Sequence, residues 1–139
     1  MSVQFDPRDH GWHENTEPGF TSFIGPLWEK HVDGRMRYGL LARELHANLN
    51  GIVHGGVVAT FADFALALES RRVNGNARQS TIQLDIHFVD AGHLGEFMES
   101  ECDVTRQTSS VTFVSGRIMS GSRLIATALG IWKIQRHIG

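Results

Sequence analysis

A single cysteine, Cys102, excludes an internal disulfide, and its place inside a strand-like run fits a reducing compartment. Three prolines and no low-complexity tract leave little to hold the chain unfolded. A formal net charge of −2 gives no bulk attraction toward nucleic acid or an anionic membrane surface, so neither is expected as a partner. No apolar run approaches the roughly 20 residues of a membrane span. The first residues lack a basic stretch followed by an apolar one, so no secretory leader is expected and the cytoplasm is the expected location. What is present suits one folded unit, because 139 residues with a 41% hydrophobic fraction can bury a core.

Residues 1–17 carry His10, Trp12 and His13 without a period and read as an N-terminal arm, with a single domain over 18–139. His10-Gly11-Trp12-His13 is half a metal site at most, since no Cys or acidic cluster accompanies it at a recognisable spacing, and no metal is expected. Pro18 stands where a helix can begin and Gly25-Pro26 where it must stop, which predicts a short amphipathic helix with Phe20, Phe23 and Ile24 on one side. Segments 27–32 and 35–46 read as strands around an Asp33-Gly34 turn, and 47–53 as a loop. From 55 to 72 the pattern is helical, with Arg71 and Arg72 complementing the carbonyls of the last turn. Its apolar residues point in nearly every direction, the mark of a helix enclosed on most sides. Strands follow at 81–90, 96–106, 110–120 and 123–135. In the first of these Ile82, Leu84, Ile86 and Phe88 alternate with Thr81, Gln83, Asp85 and His87. The class is α+β, one long helix clasped by an antiparallel sheet.

One residue does not belong in that helix on hydropathy. Asp63 lies in a segment, 57–68, that is otherwise apolar or small, with only Thr60 for polar company. An ionised carboxylate is buried only when it is paired, hydrogen-bonded or functional. Asp63 therefore either bonds a neighbouring hydroxyl or arginine for structure, or serves as a general base or nucleophile. At 100° per residue it shares a face with Gly56, Thr60 and Ala67, all small, which predicts a groove rather than a core contact. Gly56, Thr60 and Phe64 are the candidate substrate-binding residues. His54-Gly55-Gly56 opens the helix, where the first N–H groups lack intrahelical partners and carry partial positive charge. A carbonyl-polarising helix end and a carboxylate two turns along are the parts acyl transfer needs, though not necessarily from one chain.

Asn48-Leu49-Asn50-Gly51-Ile52-Val53-His54-Gly55-Gly56 followed by Asp63 resembles the N-x-x-G-x-x-H-G-G…D signature of hotdog-fold thioesterases of the phenylacetate-pathway, or PaaI-like, type. The resemblance runs from about Phe20 to Lys133, including strand 81–89 and its glycine-bearing turn. It implies a long helix wrapped by a curved sheet of five to six strands, homodimers that pair again into homotetramers, and active sites shared across the dimer interface. Carried over by position, Asp63 is the general base or nucleophile at the thioester carbon, and the Gly55 backbone N–H of the opposite protomer polarises the carbonyl. Asn48 orients the water or the thioester, His54 holds the loop or the carbonyl, and Thr81 falls where some members have a hydroxyl that assists the water. Each has a structural counterpart: Asn48 as a turn cap, His54 as a hydrogen-bonder only, Thr81 as a β-former.

The implied reaction is hydrolysis of acyl-CoA to a carboxylic acid and free coenzyme A, which enters as part of the substrate with no separate cofactor. A non-catalytic acyl-CoA-binding hotdog protein is the alternative, as is a hotdog enoyl-CoA hydratase or dehydratase, which needs a His/acid pair in the pocket. Where many members carry a glycine-containing turn near coenzyme A, this chain has Arg106-Gln107-Thr108-Ser109-Ser110. Arg71, Arg72, Arg78, Arg106 and Arg123 are the candidate phosphate contacts, or else solvated charges. The acyl group stays open between aromatic, medium-chain and dicarboxylic, with Phe61, Phe64 or Leu68 setting pocket depth.

Overall fold

The structure, a computed structural model, describes residues 4–135; the last positions of the expected domain, 136–139, lie outside the described residues. In chain order it contains β1 (His13–Asn15), α1 (Phe20–Ile24), β2 (Leu27–Val32), β3 (Arg35–Leu41), α2 (Gly55–Val73), β4 (Arg78–Phe88), β5 (Phe97–Gln107), β6 (Val111–Ser120) and β7 (Arg123–Gln135). The strands form one antiparallel sheet in the order β1-β2-β3-β5-β6-β7-β4, which curls around α2.

The sheet has seven strands among the described residues where five to six are implied by the resemblance. The additional strand is β1, supplied by the N-terminal arm, whose three residues pair with Leu27, Trp28 and Glu29. Its anchor is Trp12, buried with its ring edge-on to Phe97 at 4.8 Å, with Lys30 Nζ 5.8 Å from the ring centre. Three residues are too few for an alternation to be legible.

The Asp33-Gly34 turn closes the β2–β3 hairpin with φ of 52° and 77°, the pair of positive values that a tight two-residue hairpin requires. Segment 35–46, expected to be one strand, stops at Leu41 and ends in a 3₁₀ turn over Glu44–His46. The cause is His46, fully buried. Its Nδ1 accepts the Arg43 N–H at 2.9 Å, which leaves the proton on Nε2 to be donated to the Ile24 carbonyl at 2.7 Å. The ring thus ties the end of α1 to the loop before α2.

The core lies between α2 and the concave face of the sheet, where Phe61 and Leu66 meet Leu40, Met98, Ile118 and Trp132. Each large side chain so buried contributes about 1.5–3 kcal/mol. The approach is close: a Cβ on Gly116 would lie 2.8 Å from Leu66 Cδ1. Cys102 is part of this core, and burial pushes its thiol up to about 12, so it is an inert hydrophobe rather than a nucleophile. One stripe of α2, through Gly56, Thr60, Asp63 and Ala67, is left uncovered by the sheet.

β4 breaks the alternation read from the sequence. Thr81 pairs with Trp132 and Gln83 with Ile131, so Ile82 is an inserted bulge residue. Of the apolar set Ile82, Leu84, Ile86 and Phe88, Ile82 is 56% and Phe88 59% exposed, while Thr81, from the polar set, turns to the helix side. A one-residue slip is enough to exchange the two faces of a strand.

Candidate active site

The helix start is built by His54. Its backbone N–H is anchored on the His46 carbonyl, its own carbonyl accepts from Val57 and Val58, and its Nδ1 accepts the Gly56 N–H at 2.8 Å. The imidazole is therefore the N-cap of α2, a role usually taken by Ser, Thr, Asp or Asn. This explains Gly56, because a Cβ there would fall 2.9 Å from His54 Nδ1. The glycine makes room for the cap, and its N–H is occupied by it. Gly56 does not line the cleft that holds Asp63. By contrast the Gly55 N–H has no acceptor among the described residues, and the Phe88 ring packs beside it. The cap ring leaves one orphan donor at the positive end of a 19-residue helix.

Asn48 organises the loop below. Its Oδ1 accepts the N–H groups of Asn50 at 2.8 Å and Ile52 at 3.3 Å, while backbone bonds Asn48 N–H to Ile52 O and Gly51 N–H to Asn48 O close the turn. The side-chain oxygen is thus a turn cap. The amide nitrogen has no partner among the described residues.

Asp63 lies half-buried on the open stripe of α2, and Thr81 Oγ1 donates to its Oδ1 at 2.8 Å. The bulge makes this bond possible, since regular alternation would aim Thr81 away from the helix. No arginine or lysine pairs with Asp63 among the described residues. The carboxylate faces a cleft of about 560 Å³ between α1, α2 and β4, with walls of Phe20, Phe64, Leu68, Leu84 and Trp132. Thr60 lines the cleft too, although its hydroxyl is turned back onto the Gly56 carbonyl at 2.8 Å. Phe64 is held edge-on by Tyr38, ring centres 5.8 Å apart.

Of the five arginines considered for phosphate, Arg72 is ion-paired to buried Glu69, and Arg123 grips Asp90 at 3.1 Å and Glu96. Arg106 lies on the outer face of the sheet beside Phe113 and Leu129, and Arg78 is exposed at the start of β4. Only Arg71 lines the Asp63 cleft. The sequence offered no signal for that distinction, which depends on which arginines find carboxylates. No group of three or more His, Cys, Asp or Glu side chains is placed to hold a metal among the described residues, and no helix there is long and apolar enough to cross a membrane.

A long helix wrapped by one antiparallel sheet, with an amide at its start that has no acceptor among the described residues and a hydroxyl-bound carboxylate in a cleft, is the architecture of a hotdog fold. The chain belongs to the Thioesterase superfamily, matching that family over residues 50–126. A Pseudomonas aeruginosa protein named as a candidate esterase is 27% identical over 128 residues, covering 87% of this chain and 96% of that one. The Bacillus halodurans BH2602 protein, solved with CoA, is 26% identical with a TM-score of 0.68, over 76% of this chain and 70% of that one. A variant of the phenylacetic acid degradation protein PaaI from Thermus thermophilus shares the fold, with a TM-score of 0.74 and 20% identity over 84% of this chain and 98% of that one. At this level the chain is a hydrolase of the thioesterase and esterase kind.

Proposed function

We propose that this protein is an acyl-CoA thioesterase acting as a homodimer, with Asp63 of one protomer and the Gly55 N–H of its partner on the same thioester. The observation that carries the reading is Asp63, bonded by Thr81 and without an ion-pair partner among the described residues, in a cleft walled by Phe20, Phe64, Leu68, Leu84 and Trp132, on the same helix as a Gly55 N–H that has no acceptor there. Eight residues separate the two positions, about 12 Å along the axis, too far for one carbonyl group to touch both within a protomer. A second copy resolves the mismatch. β4 offers the surface for it, an eleven-residue edge strand paired on one side only, with Ile82 and Phe88 exposed. The outer sheet face, where Leu129 is exposed near Phe113 and Ile131, suits a further pairing of dimers into a tetramer.

In the base-assisted route Asp63 accepts a proton from water as the water oxygen bonds to the thioester carbon. The Gly55 N–H and the positive end of its helix stabilise the oxyanion. Collapse then breaks the C–S bond, and the thiolate takes the proton back from Asp63, giving the carboxylic acid and free coenzyme A. In the nucleophilic route Asp63 attacks first and water hydrolyses the resulting anhydride, with the same balance. Thr81 fixes one carboxylate oxygen and leaves the other for the reaction, Asn48 supplies its free amide nitrogen to the water or thioester, and His54 holds the loop by capping the helix.

The test is thiol release from a panel of acyl-CoA thioesters, beside sedimentation to fix the oligomeric state. Turnover by a dimer or tetramer that is lost in Asp63→Asn supports the reading. Tight acyl-CoA binding with no thiol release makes the protein a binding module instead, and a strictly monomeric active enzyme overturns the shared site.

A further inference from the structure

We propose that Arg71 forms an anion subsite at the far end of the Asp63 cleft, and that it selects acyl groups ending in a carboxylate, so that the substrate is the half-thioester of a dicarboxylic acid. The proposal rests on the thioester-hydrolysis reading above and names its substrate class.

Arg71 is half-buried on the same stripe of α2 as Asp63, eight residues further along and so about 12 Å away along the axis. Helical side chains lean toward the N-terminus, which brings the guanidinium back over the cleft. Its neighbour Arg72 is neutralised by Glu69, but Arg71 has no ion-pair partner among the described residues. The polar side chain beside it offers no substitute. Gln79 accepts from Ser70 Oγ and Asn74 Nδ2 and donates to the Ala67 carbonyl at 2.8 Å, so its hydrogen-bonding groups are engaged within the fold. Arg71 is therefore the free donor at that end.

Between Asp63 and Arg71 the walls are Phe64, Ala67, Leu68 and Leu84, closed by Phe20 from α1. These apolar side chains match a methylene or aryl spacer, and of the polar residues around them Thr60, Thr81 and Gln79 are already bonded within the fold. The charges argue the same way. Three charged side chains line the cleft, Glu17, Asp63 and Arg71, so its formal charge is −1. The clustered phosphates of coenzyme A need several cations, and this cleft supplies one. One terminal carboxylate needs one guanidinium, which pairs with it in a planar two-point contact. Arginine in the last helical turn also complements the exposed carbonyls, but that role does not require it to line the cleft that holds Asp63.

The test pairs thioesters by length: succinyl, adipoyl and suberoyl against butyryl, hexanoyl and octanoyl, each as the coenzyme A and as the N-acetylcysteamine thioester, which carries no phosphate. The expected result is a preference for the carboxylate-ended member at adipoyl or suberoyl length, and an Arg71→Gln variant that loses about tenfold more kcat/KM on adipoyl than on hexanoyl, mostly through KM. Arg71→Lys should recover part of that difference. The differential must persist with the N-acetylcysteamine thioesters. A loss confined to the coenzyme A series, equal for both acyl classes, assigns Arg71 to a phosphate and overturns the proposal, as does an equal loss on every substrate. If no thioester is hydrolysed at all, the enzymatic reading fails separately. Calorimetric titration of free adipate and hexanoate then decides the subsite alone, with Arg71-dependent binding of adipate supporting it and its absence overturning it.

Discussion

The two faces of α2 obey different rules. On one, Val58, Phe61, Ala62, Ala65 and Leu66 are pressed into the sheet and chosen for volume. On the other, Gly56, Thr60, Asp63, Ala67 and Arg71 are small or charged, and the sheet leaves them open. A helix apolar all round its sequence is thus not uniformly buried. The open stripe is held in place by the packing of the closed one, so changes on the first should cost activity and changes on the second should cost stability.

The strongest separation of the faces is Asp63→Asn. The amide keeps the shape and the bond from Thr81 but accepts no proton, and removal of a positioned base costs typically 10²–10⁴-fold. A fall of about 10³-fold in kcat/KM is expected, about 4 kcal/mol of barrier, with Tm unchanged or raised. A parallel loss of activity and Tm would show that Asp63 belongs to the core. The mirror experiment is Leu66→Ala, which opens a cavity against Gly116 and should cost about 3 kcal/mol of unfolding free energy in denaturant titration. At temperatures where that variant is folded, kcat/KM should stay within about twofold.

Much of this was legible from the residues. The order of elements, the hairpin turn and the long helix follow from local periodicity and turn chemistry, and Asp63 is conspicuous because a carboxylate is misplaced among apolar neighbours. What escaped were features decided between segments. The bulge at Ile82 cannot be seen in β4, because a strictly alternating sequence carries no mark of where its partner strand forces an extra residue; it appears only in the pairing with β7. Alternation alone groups Thr81 with Gln83, Asp85 and His87, and only the pairing with β7 shows that it faces Asp63. The end of β3 at Leu41 escaped for a similar reason, since only the distant Ile24 carbonyl explains why His46 turns into the core. At Gly56 the sequence shows a glycine but not the ring of His54, which lies where a Cβ would stand.

A finer cut through the open face is Thr81→Val, which keeps the β-branched shape and removes the hydroxyl that bonds Asp63. About a tenfold drop in kcat/KM is expected, with Tm within about 2 °C, because one neutral hydrogen bond to a charged group is at stake. Full activity would reduce the bond to packing, and a loss as deep as that of Asp63→Asn would make the hydroxyl essential in its own right.

The smallest effect should come from neither face but from the joint between them. His46 ties α1, which walls the cleft through Phe20 and Thr21, to the loop that His54 continues. Burial, reinforced by the nearby Arg43 charge, holds its ring below the ordinary value of 6.5 despite the bond to the Ile24 carbonyl. As pH falls through 6.5 the unfolded chain takes up a proton that the folded chain refuses, so this contribution is present above that pH and is lost below it, until the depressed folded value is reached. The slope cannot exceed about 1.4 kcal/mol per pH unit for one proton. Asp90, held below its ordinary value by the Ala91 N–H and then by Arg123, and Glu96, held below its own against burial by Arg123 and Ser120, act in a lower window, because they lose their contribution only as carboxylates protonate. Between pH 7.5 and 5.5 the Tm should therefore fall by about 3 °C, and His46→Asn, whose side-chain oxygen can still accept from Arg43, should flatten that slope while leaving the acid limb below pH 4 intact. An unchanged slope would mean that the ring takes up its proton as readily in the folded chain as in the unfolded one, and that the joint is indifferent to pH.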